Sequence, residues 1–480
     1  MEPCTLTKRI AIIGGGISGL SAAYSLEQHR LSGAPLEYVL YEASARLGGV
    51  LRTEHVEGCR VEAGPDSFLT EKPWAADLCR ELGIGDQLIG SNDADRRTYI
   101  MVRNRLVPMP DGLLLMVPTR LMASALSPLF SFSTKLRIIR EWFQPPTVSD
   151  ADESVAALVE RHYGFEMVEC VADPLLAGVY GGEASQLSLR AVLPRFRELE
   201  CKYGSLGRAM LKTYHKQPTE KQQPIFTSLK NGMQQISDAI VARLPVTSVR
   251  LNDEVTTLRY KDKIWSVATK RGEQSFDAVI VAVQAPMAGK LLQATSFELA
   301  SELSSISYSS SVIVALAFDE KVRAALPRGF GLLVPRREGK RILAITFVHN
   351  KFSHRAPENR ALLRCFLGGS RDGAAIDLSE EELVRLVRQE LRQILGLSAD
   401  HLFTRVYKWK NAMPQYNVGH LDRLERIEGL RRNLPGLALC GNAYRGIGVP
   451  DCVRSGKEAA ESMTSFFPLS CSAEITGTVQ

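Results

Sequence analysis

One stretch near the amino terminus constrains this chain more than any other. Arg9-Ile10-Ala11-Ile12-Ile13 is a short apolar run of the kind that forms a parallel strand buried on both faces. It passes straight into Gly14-Gly15-Gly16-Ile17-Ser18-Gly19, after which Leu20, Ala23, Tyr24 and Leu26 recur at helical spacing. A second strand over Leu36 to Tyr41 ends at Glu42. The order strand, glycine turn, helix, strand, acid is that of a βαβ unit, and it predicts an α/β fold.

The glycine spacing has a chemical reading. Gly14 permits a tight turn, Gly16 lets the backbone approach a pyrophosphate, and Gly19 lets the helix pack close to the sheet. The helix start offers free N–H groups and positive potential to phosphates. Glu42, 23 residues beyond Gly19, is placed to accept ribose hydroxyl hydrogens. The chain continues as Ala43-Ser44-Ala45-Arg46-Leu47-Gly48-Gly49, a second glycine pair beside a basic residue. That extension resembles the FAD site of flavoprotein oxidases, whereas an NAD site has no obvious need of it. A flavin needs a second anchor far from its adenine. Gly446-Ile447-Gly448-Val449-Pro450-Asp451 supplies a candidate, with Pro450 opening a final helix to about Phe466.

Other segments read more simply. Strands are expected at 246–251, 255–260, 264–269, 278–283, 311–318, 341–348, 362–366 and 436–441. Helices are expected from 149–152 to Gly164, and from Ser379 to Leu395 with a Ser379–Glu382 capping box and a Gly396 stop. Arg96 to Arg140 carries eight Lys/Arg against Asp111 alone, together with Met101, Met109, Met116 and Met122. This greasy, basic middle reads either as an interfacial surface or as a plain helical layer with solvated arginines.

Composition excludes more than it assigns. A net charge of +6 is too small to argue for nucleic acid. Nine scattered cysteines with no C-x-x-C indicate buried free thiols rather than a disulfide or zinc framework. Eight histidines, with no H-x-x-H or H-E-x-x-H spacing, disfavour metal hydrolysis. No signal segment opens the chain and no run reaches the ~18 apolar residues of a membrane span. The expected location is the cytoplasm, with a peripheral contact to the inner face of the cell membrane left open.

Beyond these motifs, Glu62-Ala63-Gly64-Pro65-Asp66-Ser67-Phe68-Leu69, Arg97-Thr98-Tyr99-Ile100 with Leu106-Val107-Pro108, Gly178-Val179-Tyr180-Gly181-Gly182 with Leu187-Ser188, Lys202-Tyr203-Gly204-Ser205-Leu206 and Tyr444-Arg445-Gly446 through Asp451 share one pattern. Over nearly its whole length the chain resembles the FAD-dependent porphyrinogen oxidases of haem biosynthesis, the bacillus-type branch above all. The resemblance implies a discontinuous Rossmann-like FAD domain (1–85, 227–292, 405–467) and a mixed-sheet substrate domain (86–101, 200–226, 293–404). It also implies a helical, membrane-touching domain (102–199) and a flexible tail (468–480).

The same resemblance implies non-covalent FAD, with phosphate contacts from Gly14, Gly15, Gly16, Ile17, Ser18 and Gly19 and ribose contacts from Glu42. Cofactor packing maps to Ala43, Arg46, Gly49, Gly64, Pro65, Asp66 and Ser67, adenine-side contact to Val255, and ring contacts to Trp409, Val449, Pro450 and Asp451. Arg97 would pair a substrate propionate, the Gly178 carbonyl would accept pyrrole N–H groups, and Cys452 is read as a buried thiol. The implied reaction removes six electrons and six protons from a porphyrinogen in three FAD cycles. Dioxygen is the acceptor, hydrogen peroxide the by-product, and a ferrochelatase-type enzyme the recipient of the porphyrin. The residues leave coproporphyrinogen III and protoporphyrinogen IX both open, and the bacillus-like match favours the former. An amine oxidase, a carotenoid-type desaturase, a flavin-holding scaffold and an NAD-dependent dehydrogenase are the competing readings.

Overall fold

Ile10 to Ile13 are buried because strands cover them on both edges, helices on one face and the strands of 255–276 on the other. The computed structural model describes residues 7–147, 151–214 and 223–466. In it Lys8–Ile13 lies between Leu36–Tyr41 and Ala278–Val281, parallel to each. Val249–Arg250 and Leu437–Leu439 complete a five-stranded parallel sheet drawn from three distant parts of the chain. The first helix, Ile17–Leu31, and the final helix, Val449–Phe466, pack on each other against this sheet. Ligand clefts of such sheets open beyond the carboxyl ends of the strands, where Gly14 and Glu42 lie.

A second, seven-stranded sheet is mixed. Its long strands Phe403–Pro414, Tyr308–Asp319 and Arg360–Gly368 are antiparallel, and Gly331–Leu333 pairs in parallel with Thr98–Val102. A three-stranded antiparallel sheet over 255–276 sits beside the parallel one. Helices between Leu121 and Tyr214 form a third layer around their own apolar core.

Local chemistry explains most boundaries. The capping box at Ser379 and Glu382 forms, and Gly396 closes that helix in the left-handed conformation. The helix expected from 149–152 begins later, at Val155, because the Ser154 hydroxyl accepts the Ala157 N–H and caps it; Ser149 and Asp150 lie outside the described residues, as does the 468–480 tail. The strand expected at 246–251 shrinks to Val249–Arg250. Val246 to Ser248 form a tight turn behind Pro245 that leaves Val246 exposed. The seven described cysteines are free and six are buried.

The helical layer is pinned by charge. His162 is buried between two buried carboxylates, Nδ1 lying 3.2 Å from Glu141 and Nε2 3.0 Å from Glu200. Arg161 and Arg197 reach Glu200 from the other side, Glu153 partners both arginines, and Glu141 also accepts the Ser205 hydroxyl and the Leu206 N–H. With His162 protonated, three positive charges meet three negative ones. Burial alone would lower the imidazole pKa, but the hydrogen bonds to Glu141 and Glu200 outweigh it and raise it. A raised histidine stabilises the fold fully below its ordinary pKa near 6.5, and that contribution is lost as pH rises through the folded value. The thermal unfolding midpoint should therefore fall on the alkaline side. His162→Leu should lower the midpoint near pH 6, because the buried Glu141 carboxylate loses its cation at about 3–5 kcal/mol while Glu200 keeps Arg161 and Arg197, and should remove that alkaline fall. A variant that keeps the wild-type pH profile would contradict this account.

Candidate active site

The first turn is built for close approach. The Gly14 N–H donates to the Tyr41 carbonyl at 2.8 Å, and Gly14 has φ +106°. A Cβ on Gly19 would lie 1.9 Å from the Gly14 carbonyl oxygen, so only glycine lets helix and turn meet. A Cβ on Gly16, by contrast, would meet nothing within 4 Å: that face of the turn is open. No side chain caps the helix start at Gly16, so the first-turn N–H groups face the open side without an intrahelical partner.

Glu42 and Arg46 do local work first. One Glu42 oxygen accepts the Gly15 N–H at 2.7 Å and the other accepts the Ser44 N–H at 2.8 Å; each retains a further lone pair. Arg46 folds back on its own loop, donating to the carbonyls of Leu47 at 2.8 Å, Leu51 at 3.2 Å and Gly49. That loop docks on the first turn through Gly48 N–H to the Gly15 carbonyl, 2.8 Å. Ala43 and Gly49 are exposed at its rim, and buried Val255 starts the strand that follows the Asp253 N–H bond to the Glu42 carbonyl.

The Gly64–Ser67 turn is held by cations that the sequence reading did not single out. Lys351 contacts Asp66 at 3.0 Å and the Ser67 hydroxyl at 3.1 Å. Arg364 donates to the Gly64 carbonyl at 2.5 Å and lies 3.4 Å from the other Asp66 oxygen. Arg355 pairs with Glu62 at 2.5 Å and reaches Ser228, whose hydroxyl donates to the Asp66 carbonyl. Pro65 fills the turn between these anchors. Trp409 adds an indole N–H bond to the Ala63 carbonyl at 2.6 Å. Burial alone would raise the Asp66 pKa, but Lys351 and Arg364 outweigh it and hold the carboxyl well below its usual range. A usable signal existed: Arg364 interrupts the otherwise apolar run Leu362 to Leu367, and a charge there has to be paired.

The final helix brings its start to the same place. A Cβ on Gly456 would lie 2.1 Å from the Ser18 carbonyl oxygen, and the Ser21 hydroxyl donates to the Val453 carbonyl at 2.8 Å. The first turns of the first helix thus pack on the final helix between Val453 and Gly456, one to two turns in from its start at Val449. Val449 and Pro450 are buried in the opening turn. The Asp451 carboxylate turns inward to Lys72, 2.7 Å and 2.9 Å away, and accepts the Gly448 N–H at 3.3 Å. Lys72 was also absent from the sequence-based candidates. Burial pushes the adjacent Cys452 thiol up to about 12, which makes it a poor nucleophile.

Gly178 lies in the last turn of the helix Asp173–Tyr180, which Gly181 closes in the left-handed conformation. Its residue is exposed and its carbonyl has no hydrogen-bond donor among the described residues, while the Tyr180 carbonyl accepts Gln415 at 2.9 Å. Burial, and then Asp451, pushes the Tyr180 hydroxyl up to about 12. Arg97 stands apart: its side chain is exposed and has no partner among the described residues, and only its backbone carbonyl is engaged, by Phe330.

The model of the family described as flavin containing amine oxidoreductase matches residues 17–464. The chain belongs to that family. It is an oxidoreductase, and the family's cofactor is a flavin. The open Gly16 face and the uncapped helix start fit such a group. The chain is 34% identical to coproporphyrinogen III oxidase of Bacillus subtilis over 96% of its own length and 99% of the relative's. It is 31% identical to the Staphylococcus aureus protein of the same name, over 95% and 99%. Among solved structures, a candidate protoporphyrinogen oxidase from Exiguobacterium sp. 255-15 superposes with TM-score 0.86 at 30% identity, covering 96% of this chain and 99% of the other. Reduced UDP-galactopyranose mutase, at 16% identity and TM-score 0.71 over 96% of each chain, shares the fold.

Arg355→Met tests the buried network. It strands the buried Glu62 carboxylate without its cation, which costs about 3–5 kcal/mol. Denaturant unfolding should show that loss, and Arg355→Met with Glu62→Gln, which removes the charge but keeps an acceptor for the Met233 N–H, should recover most of it. A single variant as stable as wild type would contradict the assignment.

Proposed function

We propose that this oxidoreductase holds one FAD non-covalently and oxidises a porphyrinogen, coproporphyrinogen III in the first place, to the porphyrin with dioxygen as acceptor. The observation that carries the reading is the near-complete, 34%-identical match to a coproporphyrinogen III oxidase. The open face of the Gly16 turn, with its uncapped helix start, gives it a physical basis. Bound flavin would supply two-electron oxidation, three times per substrate; the chain supplies position and charge.

In this reading Gly14 to Gly19 cradle the phosphates with backbone N–H groups. Glu42 uses its spare lone pairs on the ribose, and Val255 meets the adenine side. Arg46 acts through the Gly48–Gly49 loop it ties down, with Ala43 and Gly49 at the rim. Gly64 to Ser67, Trp409 and Val449 to Asp451 surround the ring, with Asp451 shaping the helix start through Lys72 rather than offering a free carboxylate. Gly178 accepts pyrrole N–H groups in the last helical turn, and the exposed Arg97 guanidinium catches a propionate from outside. The domain division at 1–85, 86–101, 102–199, 200–226, 227–292, 293–404 and 405–467 follows from the same reading.

A peripheral membrane contact belongs to it as well. Among the described residues no helix is long and apolar enough to cross a membrane. Yet Met122, Leu126, Phe132 and Phe143 are 71%, 78%, 77% and 78% exposed, interleaved with Lys135, Arg137 and Arg140. Apolar tips among cations suit an anionic lipid surface, and the cytoplasmic face would give the porphyrin a short path to a metal-inserting enzyme of the ferrochelatase type.

Kinetics in air on coproporphyrinogen III and protoporphyrinogen IX, followed by porphyrin fluorescence with peroxide measured in parallel, test the proposal. The expected result is turnover of both with the higher kcat/KM on the four-propionate substrate, and three peroxides per porphyrin. Oxidation of primary amines with no porphyrin formed would overturn it.

A further inference from the structure

The cations behind the Gly64–Ser67 turn are more numerous than its anchoring requires. Lys351, Arg355 and Arg364 are all buried, Arg364 at 2% exposure, yet among the described residues only two carboxylates, Glu62 and Asp66, pair with them. One positive charge is left uncompensated in a site where water cannot screen it. The Nε groups of Arg355 and Arg364 are buried with no acceptor among the described residues. The Lys351 ammonium also lies over the Phe226 ring, 4.5 Å from its centroid, so its charge is held partly by π-electrons rather than by a second carboxylate. Evolutionary economy is not needed to see the physical consequence: a fixed, dry positive potential stabilises any negative charge that forms against this turn.

We propose that Lys351, backed by Arg364, is a positioning residue that biases bound flavin toward its reduced, negatively charged form through the Asp66 turn. The inference rests on the cofactor reading above, in which Gly64 to Ser67 face the ring. Lys351 acts at a distance, through the turn it holds and the charge it carries, and touches no substrate. Charge near a flavin is one of the means by which a protein tunes its electronics.

The test is the midpoint potential of the flavin in the holoenzyme, measured by slow enzymatic reduction against a reference dye. Released FAD and far-UV circular dichroism are measured on each sample. Lys351→Gln should keep FAD yet shift the equilibrium about tenfold toward the oxidised form, about 30 mV for a two-electron couple. Lys351→Arg should stay within threefold of wild type. Asp66→Asn, which removes a negative charge, should shift it the opposite way, and this variant decides the matter if Lys351→Gln does not fold. Unmoved potentials, or Lys351→Gln and Asp66→Asn moving together, would overturn the inference. Wild-type protein that takes up no flavin at all would instead defeat the cofactor reading itself.

Discussion

The first and final helices of this chain can lie side by side only because Gly456 has no side chain where the Ser18 carbonyl passes. Sequence separates those two residues by most of the molecule. Once they touch, the uncapped start of the first helix is held against the final helix at one end of the parallel sheet, where its dipole presents positive potential. The Ser21 hydroxyl on the Val453 carbonyl fixes their register. Gly19 performs the same service one layer deeper, between the first helix and its own turn. Backbone proximity, rather than a set of reactive side chains, is the resource this site offers, which agrees with chemistry carried by a flavin.

Around that backbone frame the chain invests in buried charge. Paired ions in a protein interior are costly to desolvate and give little net stability, but losing one partner is severe. Such pairs therefore specify an arrangement more than they strengthen it. Arg364 on Gly64 and Asp66, Arg355 on Glu62, and Lys72 on Asp451 each tie a long-range element to a turn that borders the proposed cofactor cleft. His162 between Glu141 and Glu200 applies the same device to the helical layer that carries Gly178. That layer also has its own apolar core, and the ion pairs fix its geometry within it.

Much of the frame was legible in the residues. The βαβ unit, the strand at 264–269 and the capped helix after Ser379 follow local rules of glycine placement, apolar period and capping, and they stand where those rules put them. Turns that depend on neighbours, such as that behind Pro245, were not legible, because an isolated apolar triplet does not show that it will face water. At the site, glycines were readable and their anchors were not. Lys72, Lys351 and Arg355 look like ordinary surface cations in sequence; only the fold shows Lys351 and Arg355 sealed against carboxylates and Lys72 paired with the buried Asp451. Arg364 was the exception, exposed by its apolar surroundings. Glu42, Arg46 and Asp451 occupy the expected neighbourhood, yet their side chains are already committed to backbone or lysine partners.

The measurement closest to the centre of this account is the affinity of the chain for FAD with and without a methyl group at the helix contact. Wild type and Gly456→Ala, both stripped of flavin and matched for helical content, would be titrated with FAD by fluorescence quenching. The account predicts one FAD per wild-type chain and at least tenfold weaker binding by Gly456→Ala, because a Cβ there drives the two helices apart. Equal affinity in the two proteins, or no binding by either, would contradict it.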